Sequence, residues 1–194
     1  MDHNYEIKRL TLSDLRNDHE GFIISNIATL ISEVFSEPPW SESFSSSRLM
    51  FGLGVEMMRK CSILFVAMNK KDSSIVGYIL GQEIFKDQSD DRDQTLFKIS
   101  GRRDLDYLFA NNQRVFYVSG IGVARQYRGQ GLAESLSSEL IHELRRLKFN
   151  YRLGRTDINA ISMRKLYVKQ GFQELSVHDV TYPSRSYWLF TAVC

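Results

Sequence analysis

Cysteine and histidine are scarce in this 194-residue chain, which has two of the first and four of the second. Cys61 and Cys194 stand far apart and form no CxxC pair, so no disulfide framework is expected. His3, His19, His142 and His178 lack the spacing of metal ligands, and no metal site is expected. An excess of one charge is missing too, since 25 basic and 23 acidic residues leave a net +2. That balance argues against a general nucleic-acid or polyanion binder. Stretches such as Ile63 to Met68 are far too short to span a bilayer. The opening residues MDHNYEIKRL carry no apolar signal region. The expectation is a cytoplasmic protein with no nucleic-acid or membrane partner, and with homodimer formation left open.

What is present suits a folded core. Hydrophobic residues make up 43% of the chain, enough for one domain over residues 1–194. Tyr5 to Leu10 is the expected first strand. Phe22 to Phe35 sets Ile23, Ile27, Leu30, Ile31 and Val34 at helical spacing, and Pro38-Pro39 stops that helix. A second helix is expected from about Ser45 to Lys60, weakened by Gly52 and Gly54. Ser62 to Met68 and Ile75 to Phe85 form the arms of a hairpin.

An insert at about 86–113 then interrupts the pattern, opening on the charged run Asp87 to Asp93 and continuing into short helical pieces. Val115 to Val123 is the next strand. Leu132, Leu136, Leu140 and Leu144 recur every fourth residue in a helix expected to end near Asn150. Tyr151 to Thr156 is a strand. Asn159 can cap the following helix and Gly171 can close it. Phe172 to His178 and Ser186 to Val193 complete a mixed α/β layer structure.

The most specific stretch is YVSGIGVARQYRGQGLA, Tyr117 to Ala133. A strand rich in β-branched residues runs into a glycine turn and then directly into a helix. Such a turn lets backbone N–H groups converge at the positive end of the helix dipole, where a phosphate or pyrophosphate is held. A Walker loop would need GxxxxGK[ST], which is absent. Gly120-Ile121-Gly122 and Gly129-Gln130-Gly131 each begin a dinucleotide GxGxxG but lack its third glycine. Arg128-Gly129-Gln130-Gly131-Leu132-Ala133 satisfies [RQ]xxGx[GA]. An ordinary tight strand-to-helix turn is the plainer alternative.

The turn resembles the acyl-CoA loop of the GNAT N-acetyltransferase superfamily. Leu166-Tyr167-Val168-Lys169-Gln170-Gly171-Phe172 is similar to the family's LYxxxGF segment, with Asn159 upstream. The resemblance implies a GNAT-like α/β fold: a mixed, mostly antiparallel central sheet flanked by helices, with splayed central strands. It implies acetyl-CoA as cosubstrate, pantetheine pairing along Ile121, Gly122 and Val123, and pyrophosphate on the N–H groups of Arg128, Gly129, Gln130, Gly131, Leu132 and Ala133. Asn159 is a further cofactor position, although it lies one residue out of the family's common register.

The implied reaction is acetyl transfer to a primary amine by direct attack on the thioester. An alkyl ammonium with a pKa near 10.4 is neutral in only about one molecule in a few thousand at pH 7. A base or a water chain must therefore take its proton. Tyr167 is the expected general acid for the leaving thiolate, with a packed core aromatic as its alternative. Many family members carry a carboxylate near the position of Tyr117, and this chain does not. Glu83 is the base candidate on the neighbouring strand, with His178 and Asp179 behind it.

Phe35, Trp40 and Tyr117 are expected to face the acceptor, and Trp40 could stack on a cation or simply plug the loop under which it lies. Glu37, Glu42 and the Asp87–Asp93 run could attract a cationic amine. Two rival readings stay open. One is a non-catalytic acyl-CoA-binding or sensor module, favoured by the missing carboxylate. The other is a protein or peptide N-acetyltransferase.

Overall fold

The computed structural model describes residues 4–18, 20–85 and 102–192, with side chains of 102–104 excluded. The Asp87–Asp93 run, His3, His19, Val193 and Cys194 lie outside the described residues. Among the described residues the strands are β1 (Tyr5–Leu10), β2 (Ile63–Asn69), β3 (Ile75–Ile84), β4 (Val115–Val123), β5 (Tyr151–Asp157), β6 (Gln173–His178) and β7 (Arg185–Thr191). The α-helices among the described residues are α1 (Leu12–Asn17), α2 (Phe22–Ser36), α3 (Ser46–Met57), α4 (Leu132–Arg146) and α5 (Ile161–Lys169). The strand order is β1-β2-β3-β4-β5-β7-β6, in one mixed, mostly antiparallel sheet. By its contacts the chain divides into two compact units, Met1–Gln82 with Gly120–His142 and Glu83–Ser119 with Glu143–Cys194.

In the first unit β1, β2 and β3 form an antiparallel meander. Residues Ile63–Ala67 of β2 are buried without alternation, as a strand covered on both faces requires. Ile27 and Leu30 of α2 and Leu53 and Met57 of α3 pack with Leu64, Val66, Tyr78 and Leu80. α1 was not expected from the sequence. Thr11 and Asp14 close it with a reciprocal capping box, in which Asp14 N–H donates to Thr11 Oγ1 at 3.3 Å and Thr11 N–H to Asp14 Oδ2 at 2.6 Å.

α3 keeps its helical form through Gly52 and Gly54, with Ser45 as N-cap. α4 carries the leucine stripe: Leu132, Leu136, Leu140 and Leu144 are all buried. It ends at Arg146, before the expected Asn150, because Lys148 turns left-handed at φ 58° and the Phe149 N–H folds back on the Leu144 carbonyl.

In the second unit β5 pairs antiparallel with β7, and β7 with β6. β4 pairs parallel with β5 over Val115, Phe116 and Tyr117 and reaches no further. One face of these strands buries Val115, Tyr117, Leu153, Val177, Tyr187 and Leu189 with Leu105 and Leu108. The last two come from a 3-10 segment over Arg102–Asn112, kinked at Ala110 and Asn111, and the part of the insert expected to carry helical pieces before it lies outside the described residues. The other face packs Phe172 and Trp188 against Tyr167 of α5. No helix of the described residues is long and apolar enough to cross a membrane.

Candidate functional site

The glycine turn lies wholly in the first unit. Gly129 and Gly131 both take left-handed φ, 75° and 80°, a conformation that strains any residue with a Cβ. A Cβ at either would meet nothing within 4 Å, so backbone rather than crowding calls for glycine. Arg128 N–H bonds to the Arg125 carbonyl and Ser135 N–H to the Gly131 carbonyl. Between them the N–H groups of Gly129, Gln130, Gly131, Leu132 and Ala133 have no backbone acceptor among the described residues. Gly131, Leu132 and Ala133 are among the orphan donors that every helix start leaves, and Gly129 and Gln130 stand in the exposed turn just before α4. Their partial positive charge suits an anion and needs no lysine.

The Arg128 side chain points elsewhere. Its Nε donates to the Val123 carbonyl at 2.9 Å and its Nη1 to Glu37 Oε2 at 2.5 Å. That hydrogen bond, with the charges of Arg128 and Arg125, holds the Glu37 carboxyl below its ordinary range. Val123, expected to offer backbone to pantetheine, thus has its carbonyl occupied by Arg128. Glu37 belongs to a compact turn. Its carbonyl accepts from the N–H groups of Trp40 and Ser41, and the Phe35 ring packs on Trp40 at 5.6 Å and on Phe44 at 6.4 Å. Both readings of Trp40, acceptor wall and plug, fit a half-buried ring of this kind.

Gly120 and Gly122 also have a packing reason. They share one face of β4, where an added Cβ would lie 2.9 Å from Tyr78 Oη and 2.7 Å from Tyr78 Cε1. The Gly-x-Gly that began a dinucleotide fingerprint makes room for this ring. Ile121 between them is half-exposed.

The second unit holds Tyr167, Glu83, Tyr117 and Asn159. Tyr167 is 2% exposed and stacks between Phe172 and Trp188, with centroids 4.6 and 5.4 Å away. Burial pushes its phenol up to about 12. Its hydroxyl fills the space a side chain at Gly154 would take. Arg152, on the same face of β5, is also fully buried, with its guanidinium 4.9 Å from the Phe172 ring.

Asn159 is exposed, and the cap position belongs to Ala160, which makes no side-chain cap bond. The expectation of an asparagine cap is therefore corrected: Asn159 N–H donates to Asp157 Oδ1 at 2.9 Å, and its own side chain makes no hydrogen bond among the described residues. Asp157 thus accepts from the backbone just ahead of α5, where the asparagine was expected to cap the helix.

Glu83 is 5% exposed and grips Arg114 bidentately, at 2.7 Å to Nε and 2.9 Å to Nη2. Asp179 is buried as well. It pairs with Arg155 and accepts from Thr181 N–H at 2.8 Å and Tyr182 N–H at 2.9 Å. Burial pushes its carboxyl up, but the Tyr182 amide, the Arg155 charge and the Thr181 amide together bring it below the ordinary value. Tyr117 is buried in the core, within electrostatic reach of Arg155 and Tyr187. His178 is exposed. The Arg155–Asp179 pair escaped the sequence reading because its members stand 24 residues apart with no shared motif. No cluster of three His, Cys, Asp or Glu side chains fit for a metal occurs among the described residues.

A family model described as the acetyltransferase (GNAT) family matches residues 27–172. Among solved structures the chain is similar to the NatC complex bound to Gag peptide and CoA, with 17% identity over 97% of this chain and 99% of that one and a TM-score of 0.67. It is similar to the ribosomal-protein-S18-alanine N-acetyltransferase from Escherichia coli, at 13% identity, 98% and 95% coverage and a TM-score of 0.62. A third likeness is to Arabidopsis thaliana NAA60 in complex with a bisubstrate analogue, at 11% identity, 97% and 98% coverage and a TM-score of 0.61. At these identities the likeness is one of fold. No curated protein matches the sequence.

Proposed function

The chain belongs to the GNAT acetyltransferase family, and from that premise we propose that it moves the acetyl group of acetyl-CoA to the α-amino group of a peptide. The observation that carries acetyl-CoA is the row of N–H groups without a backbone acceptor from Gly129 to Ala133 at the head of α4. A pyrophosphate there meets helix-end charge and several hydrogen bonds at once. Backbone of β4 near Ile121 and Val123 is the proposed path of pantetheine.

The amine attacks the thioester carbon, an N–C bond forms, the C–S bond breaks, and the thiolate leaves. Tyr167 is the proposed proton donor to that thiolate. A β4 N–H near Val123 is the proposed oxyanion donor.

The acceptor class follows from the bases. Glu83 and Asp179 are each occupied by an arginine. A lysine-like ammonium would need a strong base. A peptide α-ammonium, with a pKa of about 7.7–8.0, is already neutral in roughly one molecule in ten at pH 7. Loss of its proton to water then suffices. Two of the similar structures agree in kind, one being bound to a peptide and another named for acting on the alanine of ribosomal protein S18.

The test is CoA release with three acceptor sets: peptides with a free N-terminus, the same peptides blocked at the N-terminus but carrying lysine, and small alkyl amines. The expected result is turnover with the first set, with kcat/KM rising with pH and levelling near the α-amine pKa of about 8. Turnover with lysine or alkyl amines alone would overturn the acceptor class. Absence of turnover with all three, despite CoA binding, would favour the non-catalytic sensor module.

A further inference from the structure

Arg128 stands at the first position of the phosphate loop, yet its guanidinium is turned away from it, toward the Val123 carbonyl and the Glu37 carboxylate. Glu37 in turn closes the Phe35–Trp40 turn through its carbonyl, which accepts from the N–H groups of Trp40 and Ser41. One guanidinium therefore joins the end of β4, the start of the loop and the turn that carries Trp40. The pair is solvent-accessible, with side chains 40% and 34% exposed, so an arriving anion can compete for the cation.

We propose that Glu37 is a positioning residue that acts through Arg128: it holds the guanidinium back from the cofactor phosphates and releases it when they bind, so that cofactor occupancy loosens the Trp40 turn before the acceptor enters. The inference rests on the reading of Arg128 to Ala133 as the pyrophosphate loop. Its physical basis is that two anions, Glu37 and the pyrophosphate, draw on one cation. Arg125 also lies close enough to help keep Glu37 ionised and does not replace the direct bond. Glu37 thus lowers cofactor affinity while ordering the turn. A residue with only a scaffolding role would raise affinity by stiffening the loop, so the two roles differ in sign.

Calorimetric titration with CoA separates them. Glu37→Gln removes the charge, leaves the guanidinium free for phosphate, and should bind CoA on the order of two- to fivefold more tightly, the weight of an exposed charge pair. The gain should shrink as salt rises. Arg128→Ala, which leaves Glu37 bare beside the loop, should bind CoA more weakly. A second readout uses the unaltered protein: CoA should change its tryptophan emission, the change should vanish in Trp40→Phe, and Glu37→Gln should lack it. Equal or weaker CoA binding by folded Glu37→Gln, or no emission change from Trp40 on saturating the unaltered protein, overturns the inference alone. Failure of the unaltered protein to bind CoA overturns the loop reading and the inference with it.

Discussion

Burial decides what the Tyr167 hydroxyl can do with a proton. Enclosed by Phe172 and Trp188, its phenol is pushed up to about 12 and so stays protonated through the whole working range of pH. In the proposed acid role the donor is then always protonated, and no alkaline fall in kcat between about pH 6 and 10 should originate from it. The leaving group resembles a thiol of pKa about 8.5 and departs fairly well unaided. Tyr167→Phe should therefore lower kcat on the order of tenfold, below the usual span for a general acid, and leave CoA affinity unchanged. Single-turnover rates across pH check this, and an unchanged kcat would return Tyr167 to the core. The LYxxxGF segment makes this tyrosine legible in the sequence. Gly154, which leaves room for the hydroxyl, is not legible, since the contact joins β5 to α5 through folding alone. The same limit hid the fork of Arg114 on Glu83: a carboxylate in a sequence shows its charge but not its partner.

At the scale of elements, the passage from β4 through the glycine turn to α4 is where local sequence and tertiary need agree. β4 spans the Val115 to Val123 expected of it, and β1 the Tyr5 to Leu10, because β-branched and apolar residues there are bounded by clear breaks. Helix ends were less legible. α1 hides in six residues whose Thr11-x-x-Asp14 signal is short, and the start of α5 turns on Asp157, two residues before the asparagine that resembled a cap. The turn gives its own prediction. Gly131→Ala meets open space but must hold φ near 80°, which costs about 1–2 kcal/mol for a residue with a Cβ. Relief of that strain would reorient the N–H groups of the turn. The expected outcome is a fold kept, with a slightly lower Tm, and CoA affinity reduced at least tenfold. Wild-type CoA binding by a folded Gly131→Ala would remove this turn from cofactor recognition.

For the whole molecule, the net charge of +2 bears on how an anionic cofactor is captured. With so little excess charge, long-range attraction is weak, and affinity must come from short-range hydrogen bonds made by folded backbone. An unfolded chain keeps none of that geometry, so the cofactor should bind the native state alone. Stabilisation then follows the binding constant: at a hundredfold excess over Kd it amounts to about 2.7 kcal/mol. For a chain of this length that raises Tm by about 5–10 °C. Acetyl-CoA and CoA should give nearly equal shifts, because the proposed contact of the row from Gly129 to Ala133 is with the pyrophosphate they share and not with the acetyl group. A nicotinamide dinucleotide also carries a pyrophosphate but lacks pantetheine to lie along β4, so its shift should be much smaller. An equal shift from the dinucleotide would mean that the turn binds pyrophosphate without selecting the acyl carrier, and the proposed pantetheine path along Ile121 to Val123 would fall.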